Sequence, residues 1–290
     1  MIFTNLGGMI KTLIIGTESD IENYSLAISK SKFFKSIDSY PITDGEINQL
    51  DNNYIEKFDA VFLVGVLNNP YPFLYESIKS GWNLYFIDQP ELLGSEIEQL
   101  EMLFNESGGV IFPELTELNH PLIEEFIKIE PSQLHYNYSK SIAGKKDIRS
   151  SLHTAMGFLS LLSPMPVKKI DVSTFETTSL GRPMIKVRLK MYDSSVCNIF
   201  LDIDNKNEHC LEIESSKGNF IFNLTENFLE NIQGTRFKTE EINDTILLGR
   251  TVNSFAMNVI LKTKPVYSFL HYLSVASLLM KVGNILKNSL

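Results

Sequence analysis

KSGWNLYFIDQPELLG, residues 79–94, reads as the end of a helix, a buried strand and the exit from that strand. The apolar run 84–87 stops abruptly at Asp88, Gln89 and Pro90, as a parallel strand does where it surfaces at the carboxyl edge of a sheet. Ligands of open α/β sheets bind at that edge, so Asp88 and Gln89 are expected to face a site.

The same grammar repeats on either side. Residues 11–15 make a short apolar strand closed by Gly16, and residues 21–31 carry Tyr24, Ala27 and Ile28 at helical spacing. Residues 33–42 are a second strand, followed by Thr43, Asp44 and Gly45 as turn and cap material. FDAVFLVGV, residues 58–66, is a near-continuous apolar run typical of a strand covered on both faces. A helix over 72–80, stopped by Gly81, leads into the opening stretch. A helix over 95–106, with Ile97, Leu100, Leu103 and Phe104 on one stripe, leads out of it to a strand at 110–112. This alternation predicts a Rossmann-like, nucleotide-binding-type domain over residues 1–115.

Beyond about residue 164 the period changes. Residues 170–177, 184–192, 196–203, 210–214 and 219–224 are strand-like, with alternation clearest in IKVRLKMY and with short loops carrying Gly181, Asn205 and Gly218. Strands joined by short turns predict a largely antiparallel open sheet. A helix from Pro265 onward, with Val266, Phe269, Leu270, Leu273, Ala276 and Met280 on one face, would cover part of it. Residues 116–290 are thus expected to form an α+β substrate or dimerisation domain, the closing helix being able to return to the first. The fold class is an α/β Rossmann-like domain plus an α+β domain.

Composition narrows the function. The net charge is −9 over 290 residues, and the longest basic cluster, Lys145, Lys146 and Arg149, is broken by other residues, so nucleic acid is not an expected partner. Cys197 and Cys210, the only cysteines, read as reduced thiols. His120, His135, His209 and His271 show no ligand spacing, and no metal is expected. The first residues, MIFTNLGGMI, do not read as a secretory signal, and the apolar stretch 266–280 is interrupted by Ser268, His271, Tyr272, Ser274 and Ser277. A cytoplasmic protein with no membrane association is the expectation. No G-x-S-x-G elbow or P-loop occurs.

Over nearly its whole length the chain resembles the Gfo/Idh/MocA oxidoreductases. In that family D-x-V-x-x-x-T-P-N-x-x-H precedes a helix, a Gly and a strand ending in E-K-P. Here Asp59 and Val61 open the segment and Gly81 follows. Counted without a gap, Gly65, Val66 and Leu67 stand at T-P-N and Pro70 at the His; a shift of one residue brings Asn68 and Tyr71 into those places. One inserted residue places Asp88, Gln89 and Pro90 on E-K-P. LEIESSKGNFIF (211–222) is similar to the family's strand, turn and strand, and the segment from Asn253 to Ser289 to its closing helices. A family helix opening with D-x-x-x-H matches at His153, with Arg149 in the Asp place and Met156 in the place of a later acid.

The resemblance implies NAD or NADP, and this chain departs from it where the cofactor and chemistry would sit. A dinucleotide loop wants G-x-G-x-x-G so that backbone can approach the pyrophosphate. Gly16, Glu18 and Ile21 occupy those positions. The residues placed to meet a cofactor are Gly16, Thr17, Ser19, Asp38, Asn68 and Asp88, with Asp44 an alternative to Asp38 at a ribose. Gln89 stands for the family's lysine; an amide binds hydroxyls but does not titrate. His153, Gln89 and Tyr71 are the catalytic candidates, and Arg149 could hold an anionic substrate group. His153 reads in the first place as a core or capping histidine, with the acid/base role as its functional reading.

Two functions follow. In the first, cofactor binding and the Lys/Asp chemistry are lost, and the old cleft binds a small molecule or a protein partner. In the second, the chain is an active NAD(P)-dependent oxidoreductase on a sugar-like or other carbonyl or hydroxyl substrate, with a rearranged site. With either, a homo-oligomer through the sheet of the second domain is expected, the strands over 184–203 carrying apolar residues on both faces.

Overall fold

The structure is a computed structural model and describes residues 10–47, 50–89, 92–121, 123, 135–142, 148–162, 166–177, 182–203, 209–215, 218–226, 228–231, 236–238 and 243–287. The expected positions of Pro90, Lys145, Lys146, Gly181 and Asn205 lie outside these residues. The chain divides into two compact units, Met1–Thr116 with Asn243–Leu273, and Glu117–Ile242 with Ser274–Leu290.

Unit 1 is built on five parallel strands, β1 (Ile10–Gly16), β2 (Phe34–Pro41), β3 (Ala60–Leu63), β4 (Leu84–Phe86) and β5 (Ile111–Pro113), in the order β2-β1-β3-β4-β5. Between them run α1 (Glu18–Ser29), the single turn α2 (Asn52–Ile55), α3 (Tyr71–Lys79) and α4 (Gly94–Phe104). The central strands β3 and β4 are buried at every position, which is why they read as unbroken apolar runs. The chain steps one way from β1 to β2 and returns past β1 to β3, so the topological switch point lies between the ends of β1 and β3.

A later helix, α6 (Asp244–Leu261), belongs to this unit and completes its core. Its Phe255 meets Phe62, Tyr85 and Phe112 at ring distances of 5.1, 5.6 and 5.6 Å. Ser31 Oγ donates to Asn253 Oδ1 at 2.7 Å, tying the end of α1 to α6. Truncating an aromatic of this cluster would cost about 3–5 kcal/mol.

Unit 2 carries an eight-stranded sheet in the order β13-β12-β11-β10-β6-β9-β8-β7. Its strands are β6 (His135–Ile142), β7 (Val167–Thr177), β8 (Arg182–Met191), β9 (Val196–Ile203), β10 (His209–Ser215), β11 (Gly218–Asn223), β12 (Phe228–Asn231) and β13 (Arg236–Lys238). All neighbours pair antiparallel except β6 with β9. Helix α5 (Ile148–Leu162) packs on β6 and β9, and Tyr136 donates its hydroxyl to the Ala155 carbonyl at 3.1 Å.

Over 184–203 the sheet carries apolar residues on both faces, but the two faces differ in character. Ile185, Val187 and Leu189 are buried, whereas the alternating Arg188 and Lys190 are exposed and Lys186 is half-buried. The face turned away from these side chains is mixed: Met184, Val196 and Phe200 stand on it beside Lys186, Arg188, Lys190, Asn198 and Asp202. The closing helix α7 (Phe269–Lys287) begins in unit 1 and ends in unit 2. It starts at Phe269 because Ser268 and His271 cap it, the Ser268 N–H donating to His271 Nδ1 at 3.1 Å. Val266 therefore precedes the helix and is 67% exposed, against the expectation that it shares the apolar face. Residues 269–286 are long and apolar enough to cross a membrane, with mean hydropathy 1.4. Phe269, Tyr272, Val275 and Val282 are nevertheless buried by protein.

Candidate functional site

The carboxyl edge of the unit 1 sheet is where a ligand of this fold is sought, and it starts at the switch point. There the ends of β1 and β3 touch. A Cβ built on Gly16 would lie 2.7 Å from Val64 Cγ2, and one on Gly65 would lie 2.9 Å from Gly16 Cα and 2.6 Å from Ile42 Cδ1. Glycine is thus required at 16 and at 65 by close packing of two strand ends. Position 16 is accounted for without a pyrophosphate.

The first turn of α1 follows, carrying Thr17, Glu18, Ser19 and Asp20. Thr17 is the N-cap; its Oγ1 accepts the Asp20 N–H at 3.3 Å and its hydroxyl donates to Asp20 Oδ2 at 2.5 Å. Ser19 Oγ lies 3.1 Å from Thr17 Oγ1. Two acids, Glu18 and Asp20, stand in this turn. They occupy the region where unpaired helix N–H groups and the positive end of the helix dipole would receive a phosphate.

At the ends of β2 and β3 the predicted residues take structural partners. Asp38 lies within β2, opposite Leu13, three residues short of the strand end at Pro41. It receives the Tyr54 hydroxyl at 3.4 Å. The ribose position expected for Asp38 is therefore corrected, because the carboxyl edge lies farther along the strand. After the strand, Thr43–Glu46 form a tight hairpin with Asp44 at φ 52° and Gly45 at φ 74°, the left-handed pair a D-G turn demands. Asn68 clamps it: its Nδ2 donates to the Asp44 carbonyl at 2.7 Å and its N–H to the Gly45 carbonyl at 2.9 Å. Tyr71 opens α3 and donates its hydroxyl to Gln99 Oε1 on α4. Burial first, then Tyr75 and Glu96, lifts its phenol pKa above the usual value. As a proton-handling group it is poorly suited.

At the end of β4 the expected ligand-facing amide is corrected. Gln89 is 1% exposed. Its Oε1 accepts the Leu67 N–H at 3.0 Å, and its Nε2 donates to the Gly65 carbonyl at 3.1 Å and the Ile87 carbonyl at 3.2 Å. Both amide protons are committed to backbone, and the side chain braces the loop after β3. Asp88 lies near Tyr267, whose phenol is raised well above its usual value by burial, then by Tyr272 and Asp88.

One group at this edge was not legible in the sequence. Glu114, directly after β5, accepts the hydroxyls of both Tyr24 and Thr116. Burial, then the Glu114 charge, raises the Tyr24 phenol. Tyr24 was visible only as an apolar helix position; nothing in its spacing points to a carboxylate 90 residues away. Asp20, by contrast, had a signal, since T-E-S-D fits the S/T-x-x-D/E pattern of a helix start.

Arg149 and His153 belong to unit 2. They stand four residues apart on α5 and so share a helix face. His153 is 3% exposed and Arg149 half-buried.

Two units of this kind, a parallel sheet wound with helices and a mostly antiparallel sheet, make the two-domain fold of the Gfo/Idh/MocA oxidoreductases. Neither a family model nor a curated protein sequence matches the chain. Solved structures do. The UDP-N-acetylglucosamine 3-dehydrogenase GnnA from Acidithiobacillus ferrooxidans superposes with TM-score 0.75 at 10% identity, over 95% of this chain and 97% of its own. A Gfo/Idh/MocA family oxidoreductase from Vibrio cholerae gives 0.70 at 10%, over 96% and 100%. Biliverdin reductase from Synechocystis sp. PCC 6803, solved with biliverdin and NADP+, gives 0.63 at 12%, over 96% and 98%. At these identities the likeness establishes the fold.

Proposed function

We propose that this chain is a Gfo/Idh/MocA-like protein that has given up dinucleotide-dependent hydride transfer and uses the fold to bind a small molecule. The observation that carries this is the first turn of α1, where Thr17 and Asp20 satisfy each other and Glu18 adds a second carboxylate. A helix N-terminus favours an anion by up to about 2 kcal/mol. A carboxylate about 4 Å from a phosphate oxygen opposes it by about 4 kcal/mol near a protein surface. Repulsion wins, so the residues present do not fit the pyrophosphate of NAD or NADP.

The second reading, an active oxidoreductase with a rearranged site, is the less supported, because two of its three catalytic candidates are engaged elsewhere and His153 alone is left to it. Gln89 is committed to backbone and Tyr71 to Gln99. Calorimetric titration with NADH and NADPH tests the choice. No saturation at millimolar cofactor is expected, with measurable binding appearing in the Glu18→Gly, Asp20→Asn double variant. Micromolar binding by the native chain overturns the proposal.

We further propose a dimer through the face of the unit 2 sheet that carries Arg188 and Glu212, on the strength of its charge pattern. One row across the strands runs Asp171, Arg188, Asn198, Asn137, Glu212, Ile221. At its middle Asn198 Nδ2 donates to Asn137 Oδ1 at 2.9 Å. Lys186, Arg188 and Lys190 lie on one side of that bond, Glu212 and Glu214 on the other. A two-fold axis along the strands between β6 and β9 would set Arg188 over the partner's Glu212 and Lys190 over the partner's Glu214.

A further inference from the structure

Among its described residues the connection from β2 to β3 has one helix, the single turn α2. A cavity of about 400 Å³ lies between that connection and α3, within the size range of small-molecule sites. No residue of the β1–α1 turn lines it. Its walls are apolar at Ile55 and Leu67 and aromatic at Phe73 and Trp82, whose rings lie 6.1 Å apart at 58°. Carboxylates reach it from both sides, Glu46 from the hairpin after β2 and Glu76 from α3, and no Lys or Arg is among its lining residues.

The parts are held in place. Glu46 follows the left-handed Asp44–Gly45 pair that Asn68 clamps. A Cβ on Gly45 would come within 2.6 Å of Asn68 Oδ1, so the turn is fixed closely. Trp82 is anchored by its N–H to the Ser77 carbonyl at 2.9 Å and is 8% exposed, and its indole N–H has no acceptor among the described residues. Lys79 Nζ stands 3.5 Å from Glu76 Oε1, but the pair is solvent-exposed and weak.

We infer that this cavity binds a small organic cation with an apolar or aromatic body. Two carboxylates at one cavity concentrate negative potential there, and the rings of Phe73 and Trp82 in its wall attract a cation. An anion meets repulsion from Glu46 and Glu76, and a neutral molecule gains the apolar contact and hydrogen bonds but not the attraction of the two carboxylates. The cavity shares Asn68 with the expected cofactor site but none of the β1–α1 turn on which the loss of that site is argued, so the two proposals are tested separately.

Trp82 is the single tryptophan of the chain, so its fluorescence, excited at the red edge where tyrosine does not absorb, reports on this cavity alone. The probes are 2-phenylethylammonium and its neutral and anionic counterparts, 2-phenylethanol and 3-phenylpropanoate, added to the full chain with and without NADH. A saturable change with the cation is expected, unaffected by NADH, with the neutral and anionic compounds weaker by about tenfold or more. Glu46→Gln with Glu76→Gln, both at the rim, should weaken the cation by about tenfold while leaving the melting curve in place. Equal response to all three compounds overturns the inference. So does a cation response untouched by the double variant, or the absence of saturation by fluorescence and calorimetry at about 10 mM, a concentration that detects even very weak sites.

Discussion

Gln89 Oε1 accepts the Leu67 backbone N–H at 3.0 Å, in a position where only 1% of Gln89 is exposed. The bond makes this amide a brace between the exit of β4 and the loop after β3, reinforced by the donation to Gly65. Gln89→Ala would leave a buried N–H and two carbonyls short of a partner, at about 1–3 kcal/mol for a single orphaned group. The expected outcome is a urea midpoint lowered by a corresponding amount. Gln89→Lys, which restores the family residue, should be as destabilising and produce no dehydrogenase activity, because an ammonium there has no acceptor for Leu67 to donate to. An unchanged midpoint for Gln89→Ala would remove the bracing role.

Much of the fold is legible because burial writes itself into the sequence. The strands ending at Leu63 and Phe86 are apolar throughout, within the runs 58–66 and 84–87, because both of their faces are covered. The turn at Asp44 and Gly45 is legible because a left-handed pair requires such residues. Gln89 was misread because a strand's end is visible in sequence while the direction of the next side chain is set by nonlocal backbone, here Gly65 and Leu67. Strand β6, HYNYSKSI, was not singled out, since only Tyr136, Tyr138 and Ile142 of its eight residues are buried. The return of α6 to unit 1 depends on Phe255 finding Phe62 and Tyr85, a pairing that no local pattern encodes.

The Thr17–Asp20 pair predicts that the start of α1 is stabilised from within the chain. Thr17→Ala removes the acceptor for the Asp20 N–H and should cost about 1 kcal/mol. Phosphate or pyrophosphate at millimolar concentration should not offset that loss in a thermal melt. If either anion raised the melting temperature of the native chain more than chloride at equal ionic strength, the site would still be open to phosphates.

His209 predicts an acid-sensitive fold. Burial, helped by nearby Lys140, pushes its pKa down from 6.5 to about 3. Its ring packs edge-on against Tyr138 at 5.1 Å, and it is neutral in the folded state at ordinary pH. Between 6.5 and about 3 the unfolded chain binds one more proton than the folded chain. Stability is therefore intact above 6.5 and falls as the pH drops through this window, by about 1.4 kcal/mol per pH unit from this group. Urea denaturation of the native chain and of His209→Phe between neutral pH and pH of about 4 measures the difference; the variant should show a shallower loss. Parallel pH profiles would show that His209 is protonated without penalty.

Arg188 and Glu212 carry the last prediction. They lie on opposite sides of the central Asn198–Asn137 bond in one cross-strand row. If that face is self-complementary, Arg188→Glu places like charges against each other twice in a two-fold dimer, and should shift the chain to monomer in light scattering coupled to size exclusion. Glu212→Lys alone should do the same. The double variant restores opposite charges across the axis and should recover the dimer, a result that a general loss of folding would not give. Both positions are exposed, so each single variant should melt close to the native temperature once allowance is made for lost association. A native chain that is monomeric at all concentrations, or a dimer indifferent to both single changes, would remove this face from consideration.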